Sequence, residues 1–132
     1  MTERTASCRC RQLRATVTDE PARVSVCHCL DCKKRSGSAF AVQARWPADR
    51  VAIEGNSKSW SHRGDSGNRI TFHFGPDCGS DVHYEIEGKF PDLVAIPLGA
   101  FDDPYFTTPA FSVWEERKHG WVDVIGKVEH ST

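Results

Sequence analysis

Cys27-His28-Cys29-Leu30-Asp31-Cys32 brings three thiols into six residues. Sulfur donors this close together suit a soft or borderline metal, and zinc is the common choice. A structural zinc usually takes four protein ligands, whereas a catalytic one takes three and keeps a position open for water or substrate. Cys29 and Cys32 have the Cys-x-x-Cys knuckle spacing. With Cys27 and Cys29 on a strand end and Cys32 in the turn beyond, the three sulfurs can converge on one ion. Three thiolates around a divalent cation leave a charge of about −1, a weaker Lewis acid than a three-histidine site. Such a centre suits binding and positioning a thiolate better than generating hydroxide. His28 stands between two ligands and, on extended chain, points to the opposite face, which fits packing or support of the ligands rather than ligation.

The remaining cysteines are Cys8, Cys10 and Cys78. A Cys-x-Cys pair on extended chain sets its Cα atoms roughly 6.5 Å apart, at the upper edge of disulfide range. Both side chains still face the same way, and two sulfurs on one zinc need be only about 3.8 Å apart. Cys8-Arg9-Cys10 and Cys27-His28-Cys29 are both pairs of this kind, so metal ligation is favoured over disulfides. A site made by Cys8, Cys10 and Cys78 ties the N-terminal segment to the middle of the chain and contributes folding free energy directly. Three cysteines are one short of a closed structural site; Asp77, His73, water or nothing completes it.

The elements that must position these sulfurs read mostly as strands. Leu13, Ala15 and Val17 alternate with polar residues. So do Phe40, Val42, Ala44 and Trp46; Ile70, Phe72 and Phe74; and Val82, Tyr84 and Ile86. Period two over several residues marks a half-buried strand. Leu93-Val94-Ala95-Ile96 reads as a more fully buried one. Turn signals at Asp19-Glu20-Pro21, Glu54-Gly55-Asn56, Gly64 to Asn68, Glu87-Gly88-Lys89 and Asp102-Asp103-Pro104 separate them. The one helix candidate is short, from about Leu30 to Arg35, stopping near Gly37. Lys127 to Thr132 is expected to fray. No repeat or linker interrupts residues 1–132, and 132 residues suit a single domain.

Lys plus Arg total 17 against 18 for Asp plus Glu, a net charge of −1. That argues against nucleic acid as a partner, which needs a basic face. No apolar run is long enough to span a membrane. Met1-Thr2-Glu3-Arg4-Thr5 lacks the apolar core of a signal peptide, so a cytoplasmic location is expected. Lys33, Lys34 and Arg35 read either as a solvated helix face or as an attraction for an anionic thiol. Arg69, His73 and His83 read as ordinary strand residues that can approach the site. Trp114 and Trp121 read as core or a partner surface, and Phe40 as core, with a pocket wall as the alternative for all three. Nothing in the sequence sets an oligomeric state.

These residues resemble the glutathione-dependent formaldehyde-activating enzyme family, with its Mss4-like zinc fold. The family opens with Gly-Gly-Cys-x-Cys-Gly, and here the stretch reads Ala6-Ser7-Cys8-Arg9-Cys10-Arg11. Its Cys-His-Cys-x-x-Cys-x-x-x-x-Gly element is matched in full by Cys27 to Cys32 with Gly37, and Ser38-Ala39-Phe40 also fits. The family's Phe-Cys-x-x-Cys-Gly-Ser appears as Phe74-Gly75-Pro76-Asp77-Cys78-Gly79-Ser80. Gly99 to Pro104 and Trp114 to Trp121 resemble later family segments.

The resemblance implies a mostly β fold of short antiparallel sheets around zinc sites, with little helix. It implies catalytic zinc at Cys27, Cys29 and Cys32, and structural zinc at Cys8, Cys10 and Cys78. The fourth structural ligand falls on Gly75, so that second ion is expected to be held by a substitute ligand, held weakly or lost. The implied activity is that of a carbon–sulfur lyase, condensing glutathione with formaldehyde to S-hydroxymethylglutathione. No general acid or base stands out, which leaves proximity as the main source of rate. A non-enzymatic zinc module for protein interaction or metal handling is the alternative. A closed four-ligand site would favour the module, an open three-cysteine site the enzyme.

Overall fold

Alternating side chains build eleven short strands and one α-helix among residues 2–132, the residues described by the computed structural model. In chain order these are β1 (Glu3–Ser7), β2 (Arg14–Thr18), β3 (Arg23–Cys27), α1 (Leu30–Ser36), β4 (Ala41–Pro47), β5 (Val51–Glu54), β6 (Lys58–Arg63), β7 (Arg69–Phe74), β8 (Asp81–Ile86), β9 (Leu93–Pro97), β10 (Phe111–Val113) and β11 (Glu129–His130). A three-stranded antiparallel sheet runs β1-β2-β5, and an eight-stranded sheet runs β11-β10-β3-β4-β9-β8-β7-β6. The mostly β architecture with little helix is as the sequence implies. The larger sheet is nevertheless mixed, because β10 pairs parallel with both β3 and β11.

The two faces of β3 and β4 divide the molecule. Val24, Ala44 and Trp46 point into a core shared with Ala6, Leu13, Ala15 and Val17 of the N-terminal segment and with Val82, Ile96 and Phe101. Trp46 is fully buried, and its indole N–H donates to the Asp19 carbonyl at 3.1 Å, so the large ring is covered without an orphaned donor. Arg23, Ser25 and Cys27 alternate with the core residues of β3, as Ala41, Gln43 and Arg45 do on β4. Strict two-residue periodicity therefore sends this polar set to the other face. From β9 outward, that face is continued by a second apolar cluster of Ala95, Tyr84, Phe72 and Ile70.

One expectation is corrected, and another is narrowed. The C-terminal residues are tied down rather than frayed: Glu129 N–H donates to Ala110 O at 2.9 Å, Ser131 N–H to Ser112 O at 2.9 Å, and Glu115 N–H to Ser131 O at 3.0 Å. Strands of two and three residues are too short to print an alternation, so the backbone pairing was invisible to pattern. Of the two readings of Trp121, core is removed and a surface position remains: it is 76% exposed and stacks on His119. Phe40 is half-buried beside His28, and Trp114 is a wall of the cleft described below.

Candidate metal centre

Cys27 ends β3, and its side chain emerges on the polar face of that strand. The chain then turns at once into α1. Cys29 is the helix N-cap, in extended conformation, and its sulfur accepts the Cys32 backbone N–H at 3.3 Å. The sulfur here does the work of the usual Ser or Asp cap oxygen. Cys32 therefore lies in the first turn of the helix that the sequence places from about Leu30 to Arg35. Gly37 closes the helix at φ 65°, donating to Lys33 O at 2.8 Å. That left-handed geometry suits glycine. The ligand atoms of Cys27, Cys29 and Cys32 all lie within 4.8 Å of one another, and among the described residues no further Cys, His, Asp or Glu joins them. Three converging sulfurs fit a zinc ion by donor chemistry and spacing.

The groups around the trio were only partly anticipated. Arg35 belongs to the Lys-Lys-Arg run, yet its side chain is only 10% exposed. It sits one turn after Cys32 on the same helix face, 3.9 Å from the Cys32 sulfur and 3.7 Å from Asp81, with Tyr84 under the guanidinium at 4.9 Å. Lys34 stays exposed and Lys33 bonds the Arg117 carbonyl. Hydrogen bonds from the Cys27 and Cys29 thiols, then Arg35, hold the Cys32 thiol far below its ordinary range, while Cys27 is pushed up by the same sulfur contacts and by burial. Asp31 pairs with His62 of β6 at 3.0 Å and pins α1 to the far end of the large sheet. His28 is fully buried and turned away from the trio; its Nε2 meets Ser112 Oγ at 2.9 Å.

The sulfurs open onto a cleft of about 320 Å³. Arg23, Gln43, Arg45, Tyr84, Phe90 and Trp114 line it, and only Trp114 among them was singled out as a pocket wall on sequence grounds. Phe90 and Trp114 adopt φ 52° and 58°. For bulky residues that is a strained conformation, of the sort retained where a site requires it.

Cys8, Cys10 and Cys78 also converge, with ligand atoms within 4.8 Å of one another. Cys8 and Cys10 sulfurs are 3.7 Å apart. Leu13 N–H donates to Cys8 Sγ at 3.3 Å. Ser80, through its hydroxyl and its backbone N–H, draws the Cys78 thiol down to about 6. Neither Asp77 nor His73 completes the group. His73 instead stacks on His83 at 4.3 Å and bonds Glu85 at 2.8 Å. Gly75 is packed against the sulfurs: a Cβ there would fall 2.8 Å from both Cys8 Sγ and Cys78 Sγ. All six cysteines are free.

The model of a family described as glutathione-dependent formaldehyde-activating enzyme matches residues 3–117. The comparison with curated proteins gives no match. Among solved structures, a crystal structure of a Rhodobacter sphaeroides protein is similar at a TM-score of 0.56 and 17% identity, covering 76% of this chain and 91% of that one. At that identity the likeness speaks to the fold. No helix among the described residues is long and apolar enough to cross a membrane.

Proposed function

Because the chain belongs to the glutathione-dependent formaldehyde-activating enzyme family, we propose that it is a zinc-dependent enzyme joining a small thiol to formaldehyde, with glutathione as the thiol and S-hydroxymethylglutathione as the product. One observation carries this reading: three sulfurs, from Cys27, Cys29 and Cys32, converge at one end of an open cleft with no fourth side-chain ligand beside them among the described residues. Zinc held by these residues would bind the incoming sulfur and lower its pKa. The donor count favours this over a closed interaction module.

In the reaction the thiol sulfur forms a bond to the carbonyl carbon, the C=O double bond becomes single, and the thiol proton ends on the former carbonyl oxygen. The reverse reaction breaks the carbon–sulfur bond, which makes the class a carbon–sulfur lyase. The chain's own part is to hold the reactants and control water. Ile70, Phe72 and Tyr84 supply an apolar wall. The Arg35 guanidinium offsets the negative charge gathered on the cysteine sulfurs. Cys8, Cys10 and Cys78 would hold a second, structural ion only weakly, one ligand short. Six free cysteines suit a reducing compartment such as the cytoplasm.

Elemental analysis of wild type, Cys29→Ser and Cys78→Ser tests the assignment. About one tightly held zinc per chain is expected in wild type and in Cys78→Ser, and none in Cys29→Ser. Retention in Cys29→Ser with loss in Cys78→Ser would reverse the roles of the two trios. NMR with labelled formaldehyde and glutathione tests the substrates; a rate equal to that in buffer rejects them.

A further inference from the structure

The polar face of β3 and β4 runs from the sulfur trio to two arginines that form no ion pair among the described residues. Register sets three rows across these strands: Cys27 opposite Ala41, Ser25 opposite Gln43, and Arg23 opposite Arg45. All six side chains share one face. Four residues separate Cys27 from Arg23 along β3, about 13 Å at 3.3 Å per residue. All of these residues except Ala41 line the cleft.

Three features of the arginine end call for a ligand. First, Arg23 and Arg45 are directly cross-strand, an arrangement that is repulsive for like charges. Arg45 is only 6% exposed, yet neither guanidinium belongs to an ion pair among the described residues. Burial and the neighbouring Arg45 lower the pKa of Arg23, with Glu129 opposing in part. Buried cations are ordinarily paired. Second, two polar atoms there are buried without partners: the Arg23 Nε donor and the Gln43 Oε1 acceptor. Gln43 is 2% exposed and spends its amide N–H on Ser25 Oγ at 2.9 Å. Arg45 Nη1 also donates to that oxygen, at 3.4 Å. Third, the cations are held by aromatic rings. Phe90 lies 5.1 Å from Arg23 and 4.4 Å from Arg45, and Phe111 lies 3.8 Å from Arg23. Ring contacts with the guanidinium planes leave in-plane N–H groups for a carboxylate fork.

We propose that Arg23, Arg45 and Gln43 form a carboxylate-recognition subsite, so that the thiol substrate is an amino-acid or short-peptide thiol whose carboxylate meets the arginines while an adjacent N–H meets Gln43 Oε1. This rests on the reading of Cys27, Cys29 and Cys32 as the thiol end of the same cleft. A ligand that carries both an acceptor and a donor would satisfy the orphaned donor and the orphaned acceptor together. Arginine side chains reaching into the cleft shorten the gap, and two or three residues of extended peptide, about 7–10 Å, bridge the remainder. A simple alkyl thiol would leave both cations and both orphaned atoms uncompensated.

The test uses the zinc-loaded full chain and titrates three probes by calorimetry: glutathione, its diethyl ester and S-methylglutathione. Wild type is expected to bind glutathione about 10- to 100-fold tighter than the ester. Arg45→Met and Arg23→Gln, checked for unchanged zinc content and circular dichroism, should abolish that preference. Equal binding of acid and ester, no saturable binding of either, or a preference that survives in both variants overturns the subsite. The wild-type comparison of acid with ester stands even if a variant fails to fold. S-Methylglutathione separates the two readings. Weaker binding than glutathione, with the same arginine dependence, supports both. Binding equal to glutathione, with that dependence, keeps the carboxylate subsite and removes the thiol–metal contact.

Discussion

Arg35 lies one helical turn beyond Cys32, its Nη2 3.9 Å from the Cys32 sulfur and its Nη1 3.7 Å from the Asp81 carboxylate. The guanidinium thus serves two anions at once: a thiolate of the candidate metal centre and a half-buried carboxylate on β8. Burial pushes the Asp81 carboxyl up and Arg35 opposes that shift, which makes the pair a support for α1 as well as for the sulfurs.

Arg35→Met retains the stem and removes the charge. It is expected to weaken zinc binding about 10- to 100-fold, the usual effect of losing a group that orients a ligand, as read by chelator competition. It also leaves Asp81 unpaired, so a stability loss of roughly 1–3 kcal/mol should accompany it. The double variant Arg35→Met/Asp81→Asn separates the two effects. Stability should return while zinc affinity stays low. Recovery of both would mean that Arg35 acts on the fold alone.

Gly75 occupies the point where the family pattern has a cysteine, and the sulfurs of Cys8 and Cys78 have closed around it. A methyl group cannot enter without moving them, so Gly75→Ala is expected to destabilise the protein by about 1–3 kcal/mol. Gly75→Cys adds the same Cβ together with a fourth sulfur. Cys8, Cys10, Cys78 and the introduced thiol would then supply the four sulfur donors a structural zinc takes. Elemental analysis should therefore rise from about one zinc per chain to about two, with thermal stability at or above wild type. Gly75→Cys that holds no additional zinc would exclude this trio as a vestige of a four-sulfur site.

The sulfur trio was legible in the sequence because its ligands are local: six residues decide the geometry, and the Cys29 cap and Gly37 stop decide the helix. β2, β4, β7 and β8 were legible for the same reason, since each prints its own period, and β9 was legible as a short unbroken apolar run. The arginine end of the cleft was not. Gln43 and Arg45 read as the wetted side of a half-buried strand, and only the register of β3 on β4, with β10 laid parallel beside β3, turns that side into an interior surface. Arg35 did leave a signal, its three-residue offset from Cys32, but the neighbouring lysines made the run look like a solvated face. β10 and β11 are held by partners far along the chain, and segments of two or three residues carry no periodicity to read.

His83 supplies a pH prediction with a definite sign. The residue is 9% exposed, its Nε2 has no partner, and His73 stacks on its ring. Burial, then the neighbouring His73, lowers its pKa to about 4 from the ordinary 6.5. Above pH 6.5 the ring is neutral in both folded and unfolded chains and contributes no pH dependence. Between 6.5 and about 4 the unfolded chain takes up a proton that the folded chain refuses, so stability falls with pH across that window and this contribution levels off below it. The full shift sets an upper bound of about 3 kcal/mol. Denaturant unfolding at pH 7.5 and pH 5 should show His83→Gln losing less stability than wild type over the same interval. The zinc-free protein is the form to use, because acid also strips metal from thiolates. Parallel losses in wild type and variant would show that the ring protonates as readily folded as unfolded, and the acid sensitivity would then belong to other groups.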